Sequence, residues 1–262
     1  MVAGRRPAPR AGLPDDLFRH GACLGERSAH ITAVTEAGIV LDRTVFYPLG
    51  GGQAGDSGVL VLADGTEIAI ADTRKGKDAE GNATNNIVHV PAPGQEALLA
   101  ALAPGTTVTA RIDWERRHRM MRLHTTSHLL CHVVPQLVNG CSITPDYARL
   151  DFAMTDPLDK EQLTAAIATL VAAAHPLTVA SISDEELDAN PALVKSMSVQ
   201  PPRGTGRIRT IRIGGEGDAP LIDLQPCGGT HVANTAEIGA IVVTKIEKKS
   251  ATTRRVVLGF VP

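Results

Sequence analysis

Apolar and polar residues alternate in short runs along residues 30–113. Two of these runs, 31–41 and 59–71, each alternate on both sides of a central turn, and shorter runs lie at 87–90 and 108–112. A period of two is typical of half-buried strands, and a turn between two such runs is typical of a hairpin. Several short strands joined by turns predict a small β-barrel in this part of the chain.

Helical signals begin after Asp113, a residue type that caps helix N-termini. We predict a helix over 114–134, which Pro135 would end. A second helix is predicted over 156–174, where Asp precedes Pro at the first turn. A third should follow the Ser-x-x-Glu capping box at 183–186.

Strand patterns return between and after these helices. We predict a short strand pair around 147–152 and strands at 177–182, 207–213, 221–224, 239–247 and 254–260, the last two forming a hairpin. Helices combined with a mostly antiparallel sheet make 114–262 a two-layer α+β domain, so the fold class is α+β. Residues 1–29 are expected to be a flexible leader and first turn, and 30–113 the barrel domain.

Composition narrows the class of protein. The 262 residues are 43% hydrophobic and 21% charged, which suits a globular protein large enough for two domains. No apolar run approaches the roughly 20 residues that cross a bilayer, so no membrane partner is expected. Four irregularly spaced cysteines do not form a disulfide framework, and we expect a cytoplasmic location. The net charge of −2 argues against a protein that coats nucleic acid non-specifically.

Two pairs of metal-type ligands stand out. His124 and His128 are four residues apart, so a helix would place both imidazoles on one face. Cys227 and His231 enclose a Gly-Gly pair that allows a tight backbone turn. Four such ligands match one tetrahedral Zn²⁺. His132 would lie about 12 Å from His124 along the helix and cannot share that ion.

The surroundings of these pairs limit the chemistry. A thermolysin-like protease has Glu directly after the first His, and this chain has Thr125 there. The zinc deaminase pattern is also missing. Because no carboxylate adjoins either pair, we expect a zinc-positioned water to attack an ester, with the protein base unknown. A closed, purely structural zinc site remains open at this stage.

Basic residues flank both ligand pairs, and they predict a polyanionic substrate contacted through its backbone. Three clusters lie near the pairs: Arg111, Arg116, Arg117, Arg119 and Arg122; Arg203, Arg207, Arg209 and Arg212; and Lys245, Lys248, Lys249, Arg254 and Arg255. The leading candidates for contact are Arg116, Arg117, Arg122, Lys248, Lys249 and Arg254. A Gly-rich stretch at Gly50–Gly52 is either a linker or a loop that lets backbone approach a ligand.

These motifs carry a family resemblance. HTTSHLL preceded by IDWERRHRMMR, then DLQPCGGTHV, AEIG and KIEKKSATTRR, resemble the editing domain of alanyl-tRNA synthetases. LDRTVFYPLGGGQAGDSG resembles the Gly-rich stretch that precedes that domain. The editing domain of threonyl-tRNA synthetase shares the ligand pairs, but the Gly-rich motif favours the alanyl branch. With no aminoacylation domain, the chain looks like a freestanding editing protein of the AlaX group.

The resemblance implies a function and site residues. It implies hydrolysis in trans of the ester in mischarged tRNA(Ala), chiefly Ser-tRNA(Ala), with Gly-tRNA(Ala) as a second substrate. It also implies zinc on His124, His128, Cys227 and His231. The same resemblance makes Gly51, Gly52 and Gln53 a loop that closes on the 3′ end of the tRNA, and the candidate hydroxyl partners are Thr44, Ser142, Thr144 and Thr230.

Two alternatives stay open from the sequence. One is a non-catalytic RNA-binding module that zinc stabilises, and the other is a zinc esterase acting on small molecules. Two departures from the family pattern, Pro48-Leu49 and Thr126 within HTTSH, bear on loop shape and amino-acid preference more than on the reaction.

Overall fold

The computed structural model describes residues 15–19, 22–201, 206–215 and 220–261. These residues form two compact units. The first contains the described residues up to Leu49 together with Gly55–Trp114, and the second contains Gly50–Ala54 and the described residues from Glu115 onwards. The short Gly-rich segment therefore belongs to a different unit from the residues on either side of it.

The first unit contains eight strands, β1 (Asp15–Asp16), β2 (Glu26–Thr35), β3 (Gly38–Leu41), β4 (Arg43–Thr44), β5 (Gly58–Leu62), β6 (Glu67–Lys77), β7 (Ala83–Pro91) and β8 (Thr107–Ile112), with helix α1 at Glu96–Ala100. Six of them form a closed barrel with the order β2-β3-β7-β6-β5-β8, and β1 pairs with β4. Strand β8 pairs antiparallel with β2, and this pairing closes the barrel. Closure removes the exposed strand edges that an open sheet would leave. The predicted barrel is confirmed.

The first barrel strand begins before the predicted boundary at residue 30. Residues 1–14, 20 and 21 lie outside the described residues, but Glu26–Ala29 already belong to β2 because they pair with Val108–Arg111 of β8. Before them, a short 3-10 helix at Leu17–Arg19 places Phe18 against Tyr47, with ring centroids 5.4 Å apart.

Thr44 is part of a buried hydrogen-bond chain inside the first unit. Its Oγ1 accepts from the backbone N–H of Phe46 at 3.0 Å and lies 2.8 Å from Nε2 of His89, whose Nδ1 lies 3.0 Å from the Ile39 carbonyl. The Thr44 hydroxyl therefore donates to Nε2, and Nδ1–H donates to the carbonyl. Burial lowers the pKa of His89 to about 4, so the imidazole is neutral.

The second unit combines helices with two antiparallel sheets. Its elements are α2 (Trp114–Val133), β9 (Val138–Ile143), β10 (Tyr147–Ala153), α3 (Lys160–Ala172), β11 (Leu177–Ile182), α4 (Asp184–Ala189), β12 (Ile208–Gly214), β13 (Leu221–Pro226), β14 (Ile241–Ser250) and β15 (Thr253–Phe260), with 3-10 turns at Pro191–Leu193 and Thr235–Ile238. One sheet has the order β14-β15-β10-β9 and the other β11-β12-β13. Together the two units confirm the α+β fold class.

Helix α2 is the buried helix of this unit. Nine consecutive residues, Leu123–Cys131, are buried, so the helix is covered on all sides over more than two turns. Two buried hydroxyls in this stretch find hydrogen-bond acceptors within the helix. Thr126 Oγ1 donates to the Arg122 carbonyl at 2.8 Å, and Ser127 Oγ donates to the Leu123 carbonyl at 2.9 Å. These bonds to the preceding turn explain how weak helix formers are tolerated there.

Helix α3 begins later than predicted. Its N-cap is Asp159, which accepts from the Gln162 N–H at 2.8 Å, instead of Asp156. The chain has two suitable Asp residues three positions apart, and the second, Asp159, has the extended backbone of an N-cap. The capping box of α4 is confirmed, because Ser183 and Glu186 each bond the other's backbone N–H. Within the described ranges, no helix is long and apolar enough to cross a bilayer.

Candidate metal centre

The four predicted metal ligands come together in the second unit. One ligand atom from each of His124, His128, Cys227 and His231 lies within 4.8 Å of the others. Helix α2 supplies the first two, one helical turn apart, and the segment after β13 supplies the other two. The three histidines are buried, whereas Cys227 is partly exposed.

Gly229 explains why the Cys-Gly-Gly-Thr-His segment can approach helix α2. A Cβ at Gly229 would lie closer than 3.0 Å to the His124 ring and 2.9 Å from Oε1 of Gln53. At Gly228, by contrast, no atom of the described chain lies within 4 Å of such a Cβ. The first glycine is therefore tolerant of a side chain, while the second is required for close packing against the histidine.

Each imidazole is oriented by a partner on Nδ1. His124 Nδ1 lies 2.8 Å from Oε1 of Gln53, His128 Nδ1 lies 2.7 Å from Oδ2 of Asp223, and His231 Nδ1 lies 3.2 Å from Oγ1 of Thr125. The Nε2 atoms of His124 and His231 instead face the Cys227 sulfur, at 3.5 and 3.3 Å. The Nδ1 atoms are thus hydrogen-bonded, which leaves Nε2 to bind a metal.

This arrangement fits a zinc ion. Zinc–nitrogen bonds of about 2.0–2.1 Å and zinc–sulfur bonds of about 2.3 Å imply neighbouring ligand atoms roughly 3.3–3.7 Å apart in a tetrahedron. The two sulfur–nitrogen separations at Cys227 fall in that range. Three imidazoles and one thiolate are also a donor set that binds zinc in preference to magnesium or calcium, which favour oxygen ligands.

The charges in this cluster favour the metal-binding form of the cysteine. Burial raises the pKa of Cys227, but the charges of His124 and His231 outweigh burial and hold the pKa of the thiol well below its usual value. Burial and the neighbouring His124 lower the pKa of His231 to about 3. A thiolate and a neutral imidazole are the forms that coordinate metal.

Asp223 forms a second layer behind His128. Burial would raise the pKa of Asp223, but its hydrogen bond with His128 outweighs burial, and the pKa falls to about 2. Burial likewise opposes protonation of His128, yet the bond to Asp223 raises the His128 pKa to about 9. Asp223 also pairs with the Lys195 ammonium and accepts from Gln225 Nε2 at 2.8 Å.

The site predicted from the sequence did not include Asp223, Gln225 or Lys195. A signal for the first two was present, since residues 223 and 225 lie on one face of β13 and residue 227, which follows the strand, continues the same spacing of two. Lys195 had no such signal, because its partner lies 28 residues away in the chain.

Arg209 holds the cysteine segment in place. Its Nη1 donates to the carbonyls of Cys227 at 2.6 Å and Gly229 at 3.0 Å, and its own carbonyl accepts from the Cys227 N–H at 3.1 Å. Arg212 similarly donates to the carbonyls of Gly214 and Gly215. These two arginines of the second basic cluster bond backbone carbonyls, and Arg203 lies outside the described residues.

Of the predicted hydroxyl partners, the structure places Thr230 at the metal centre. Its side chain is buried, and its Oγ1 accepts from Nε2 of Gln53 at 2.9 Å. Thr144 closes a local turn by bonding the backbone of Asp146 and Tyr147. Ser142 pairs with Arg149, on the sheet face opposite to Cys141 and Leu150. Thr44 belongs to the first unit and bonds His89 there.

The predicted tRNA contacts separate into buried and exposed residues. Arg117 is fully buried, and Arg254 is 9% exposed and bonds the carbonyls of Ser250 and Thr155, so neither presents a charge at the surface. Arg122 donates to the Ile238 carbonyl at 2.6 Å and lies over the Phe260 ring. Arg116 is half-buried against Met120. Lys248 and Lys249 are exposed.

Several known proteins are similar to this chain in sequence. The profile of the threonyl and alanyl tRNA synthetase second additional domain matches residues 208–257, and that of class II (A) tRNA synthetases matches 22–116. The alanyl-tRNA editing protein AlaX-M of Saccharolobus solfataricus is 31% identical over 248 residues, covering 93% of this chain and 98% of that protein. AlaX-M of Methanosarcina mazei is 31% identical over 252 residues, covering 93% and 95%.

A longer relative matches the same region. The alanine–tRNA ligase of Metallosphaera sedula is 36% identical over 219 residues, covering 80% of this chain and 22% of the ligase. The chain thus spans about a fifth of that enzyme's length, whereas it spans nearly all of the AlaX-M proteins.

Proposed function

The chain belongs to the AlaX-M family of alanyl-tRNA editing proteins, and on that basis we propose that it is a zinc-dependent aminoacyl-tRNA deacylase. Its proposed substrates are mischarged tRNA(Ala), chiefly Ser-tRNA(Ala) and secondly Gly-tRNA(Ala), cleaved at the aminoacyl ester in the cytoplasm. In this proposal residues 114–262, together with Gly50–Ala54, form the editing domain, and the rest of 30–113 forms the Gly-rich barrel domain.

One observation carries the proposal: the histidines are bonded at Nδ1, leaving Nε2 for a metal beside the Cys227 thiolate. His124, His128, Cys227 and His231 would hold Zn²⁺, which when bound supplies Lewis acidity and activates a water for attack on the ester. Because Cys227 is the partly exposed ligand, the ester is expected to approach from its side. Asp223 is committed to His128, Lys195 and Gln225, so it is not assigned as the proton acceptor.

Serine removal has a physical rationale. A pocket built for alanine discriminates against an analogue that adds only a hydroxyl by a factor of about 10². A second site is therefore needed to remove the error. Thr230, which bonds Gln53 beside the four proposed zinc ligands, is the proposed partner of that serine hydroxyl. Its Oγ1 accepts from Gln53, which leaves its own proton available for donation to a serine oxygen. The exposed Lys248 and Lys249 are the proposed phosphate contacts.

The deciding experiment is a deacylation assay on Ser-tRNA(Ala), Gly-tRNA(Ala) and Ala-tRNA(Ala) with pure, zinc-loaded protein. We expect rapid release of serine, slower release of glycine and survival of Ala-tRNA(Ala). Equal hydrolysis of the seryl and alanyl esters, or hydrolysis of neither, would overturn the proposal. Efficient cleavage of simple seryl esters without RNA would instead indicate a small-molecule esterase.

A second candidate, a non-catalytic RNA-binding module, is favoured by the presence of four protein ligands, which can complete a closed zinc shell. The variant Cys227→Ala separates the two. A catalytic centre predicts a folded, inactive protein, whereas a structural zinc site predicts loss of the fold in circular dichroism. The exposed Cys23→Ala is the matched control and should leave both activity and fold unchanged.

A further inference from the structure

The Gly-rich segment Gly50–Ala54 lies along β9, the edge strand of the four-stranded sheet in the second unit. The Ile143 N–H donates to the Gly52 carbonyl at 2.8 Å, and the Ala54 N–H donates to the Ile143 carbonyl at 3.0 Å. Gln53 is therefore bridged in parallel to the end of β9. This backbone pairing holds the residue between the two bonds in one orientation.

The glycines allow this segment to lie directly against β9. Gly51 and Gly52 both have positive φ, at 58° and 84°. A Cβ at Gly52 would also lie closer than 3.0 Å to the Cys141 sulfur. The conformation and the packing both require glycine there, and together they direct the following residue into the protein.

The side chain of Gln53 is fully buried and bonded at both ends of its amide. Its Oε1 accepts from Nδ1 of His124 at 2.8 Å and from the Thr230 N–H at 3.0 Å, and its Nε2 donates to Thr230 Oγ1 at 2.9 Å. The two acceptor bonds identify this atom as the oxygen, and they use both of its lone pairs. The oxygen of this amide is therefore fully committed to His124 and Thr230.

We propose that Gln53 is a positioning residue for the metal centre. By accepting from Nδ1–H, it fixes the tautomer and ring orientation of His124, so that Nε2 carries the lone pair toward the metal. By bonding Thr230, it also holds the segment between Cys227 and His231. One neutral side chain thus aligns the helical half of the ligand set with the loop half.

Gln53 and Asp223 contact different histidines of the cluster. Asp223 orients His128 with a charged carboxylate, whereas Gln53 orients His124 with a neutral amide. Because the Gln53 amide is neutral, the negative charge at the proposed zinc site is limited to the Cys227 thiolate and the Asp223 carboxylate. The inference rests on the proposed zinc site, since it concerns how that site is preorganised.

The test measures zinc binding directly, by chelator competition on the full chain with Gln53→Met. Methionine keeps the length of the side chain but removes both hydrogen-bonding ends. We expect about 10–100-fold weaker zinc binding, the loss seen when a partner behind a metal ligand is removed. The matched control is Gln136→Met, at an exposed glutamine outside the cluster, which should bind zinc like the wild type.

A second variant distinguishes orientation of His124 from general support of the fold. Gln53→Glu keeps an oxygen that accepts from His124 and Thr230, and the Thr230 hydroxyl can turn to donate to the carboxylate. We expect zinc affinity at least as high as that of the wild type, because the carboxylate keeps the bond and increases the basicity of His124, and an unchanged Co²⁺ absorption spectrum, even if Gln53→Met fails to fold.

The outcomes that overturn the inference are distinct from failure of the proposed function. Wild-type zinc affinity in folded Gln53→Met, or a loss in Gln53→Glu as large as that in Gln53→Met, would overturn the positioning role alone. Absence of zinc binding by the wild-type chain would overturn the metal centre and the positioning role together. Zinc binding without deacylation would remove only the proposed activity.

Discussion

The Nδ1 atom of His128 lies 2.7 Å from Oδ2 of Asp223, and both side chains are almost completely shielded from solvent. This pair joins helix α2 to strand β13, the two elements that lead to the two halves of the ligand set. A carboxylate that accepts from a ligating imidazole orients the ring and increases its basicity toward the metal.

Asp223→Asn should therefore weaken zinc binding without removing any ligand. We expect about 10–100-fold lower affinity, because the amide can still accept from His128 but no longer carries the charge that increases its basicity. Chelator competition measures the effect. The control is Asp146→Asn, whose carboxylate is 83% exposed and lies outside the cluster. Equal zinc affinities for the two variants would contradict this role.

The two glycines of the cysteine segment should respond differently to alanine. Gly229→Ala places a methyl group against the His124 ring and Gln53 Oε1, so we expect a cost of about 1–3 kcal/mol in stability and reduced zinc affinity. Gly228→Ala meets open space among the described residues and should change neither. Thermal unfolding and zinc titration of the matched pair check this, and a tolerated Gly229→Ala would show that the segment can move away from the helix.

Arg209→Ala should loosen the segment that carries Cys227. The guanidinium donates to the carbonyls of Cys227 and Gly229, and hydrogen bonds from a charged donor contribute about 1.5–3 kcal/mol each. We expect faster hydrogen exchange in residues 227–231 and weaker zinc binding. Arg207→Ala is the control just before the same strand, because that exposed arginine bonds Ser181 instead. Equal hydrogen exchange in residues 227–231 of the two variants would show that the Arg209 hydrogen bonds do not restrain the segment.

Acid should destabilise the first unit through His89. Burial lowers the folded-state pKa to about 4, compared with 6.5 in the unfolded chain, so folding favours the neutral imidazole. The stability contribution is full above about pH 6.5 and is lost as the pH falls toward 4, by a total of about 3 kcal/mol. Urea unfolding at a series of pH values measures it.

The variant His89→Gln isolates this contribution. Glutamine can accept from Thr44 and donate to the Ile39 carbonyl, but it does not titrate in this range. We expect the acid-dependent loss between about pH 6.5 and 4 to shrink in this variant. His132→Gln, at an exposed histidine, should keep the wild-type profile. An unchanged profile in His89→Gln would assign the acid sensitivity to other groups.

Much of the fold and the composition of the metal centre could be predicted from local sequence. The barrel hairpins, helix α2 and the capping box of α4 follow from periods and end signals that span only a few residues. The spacing of His124 and His128 is sufficient to place both on one helix face, because the helical repeat is set by the backbone itself. The start of α3 was misplaced because Asp156 and Asp159 carry the same local signal.

The sequence by itself thus determined the barrel hairpins, helix α2 and the four side chains that gather in the candidate metal centre. Only the tertiary structure decided that Gln53 and Asp223 hydrogen-bond two of those histidines, since their histidine partners lie 71 and 95 residues away along the chain. It also decided that Arg117 is buried while Lys248 is exposed, although both are cations in basic clusters. Burial and hydrogen-bond partnership depend on which distant segments pack together, and local periodicity carries no information about that packing.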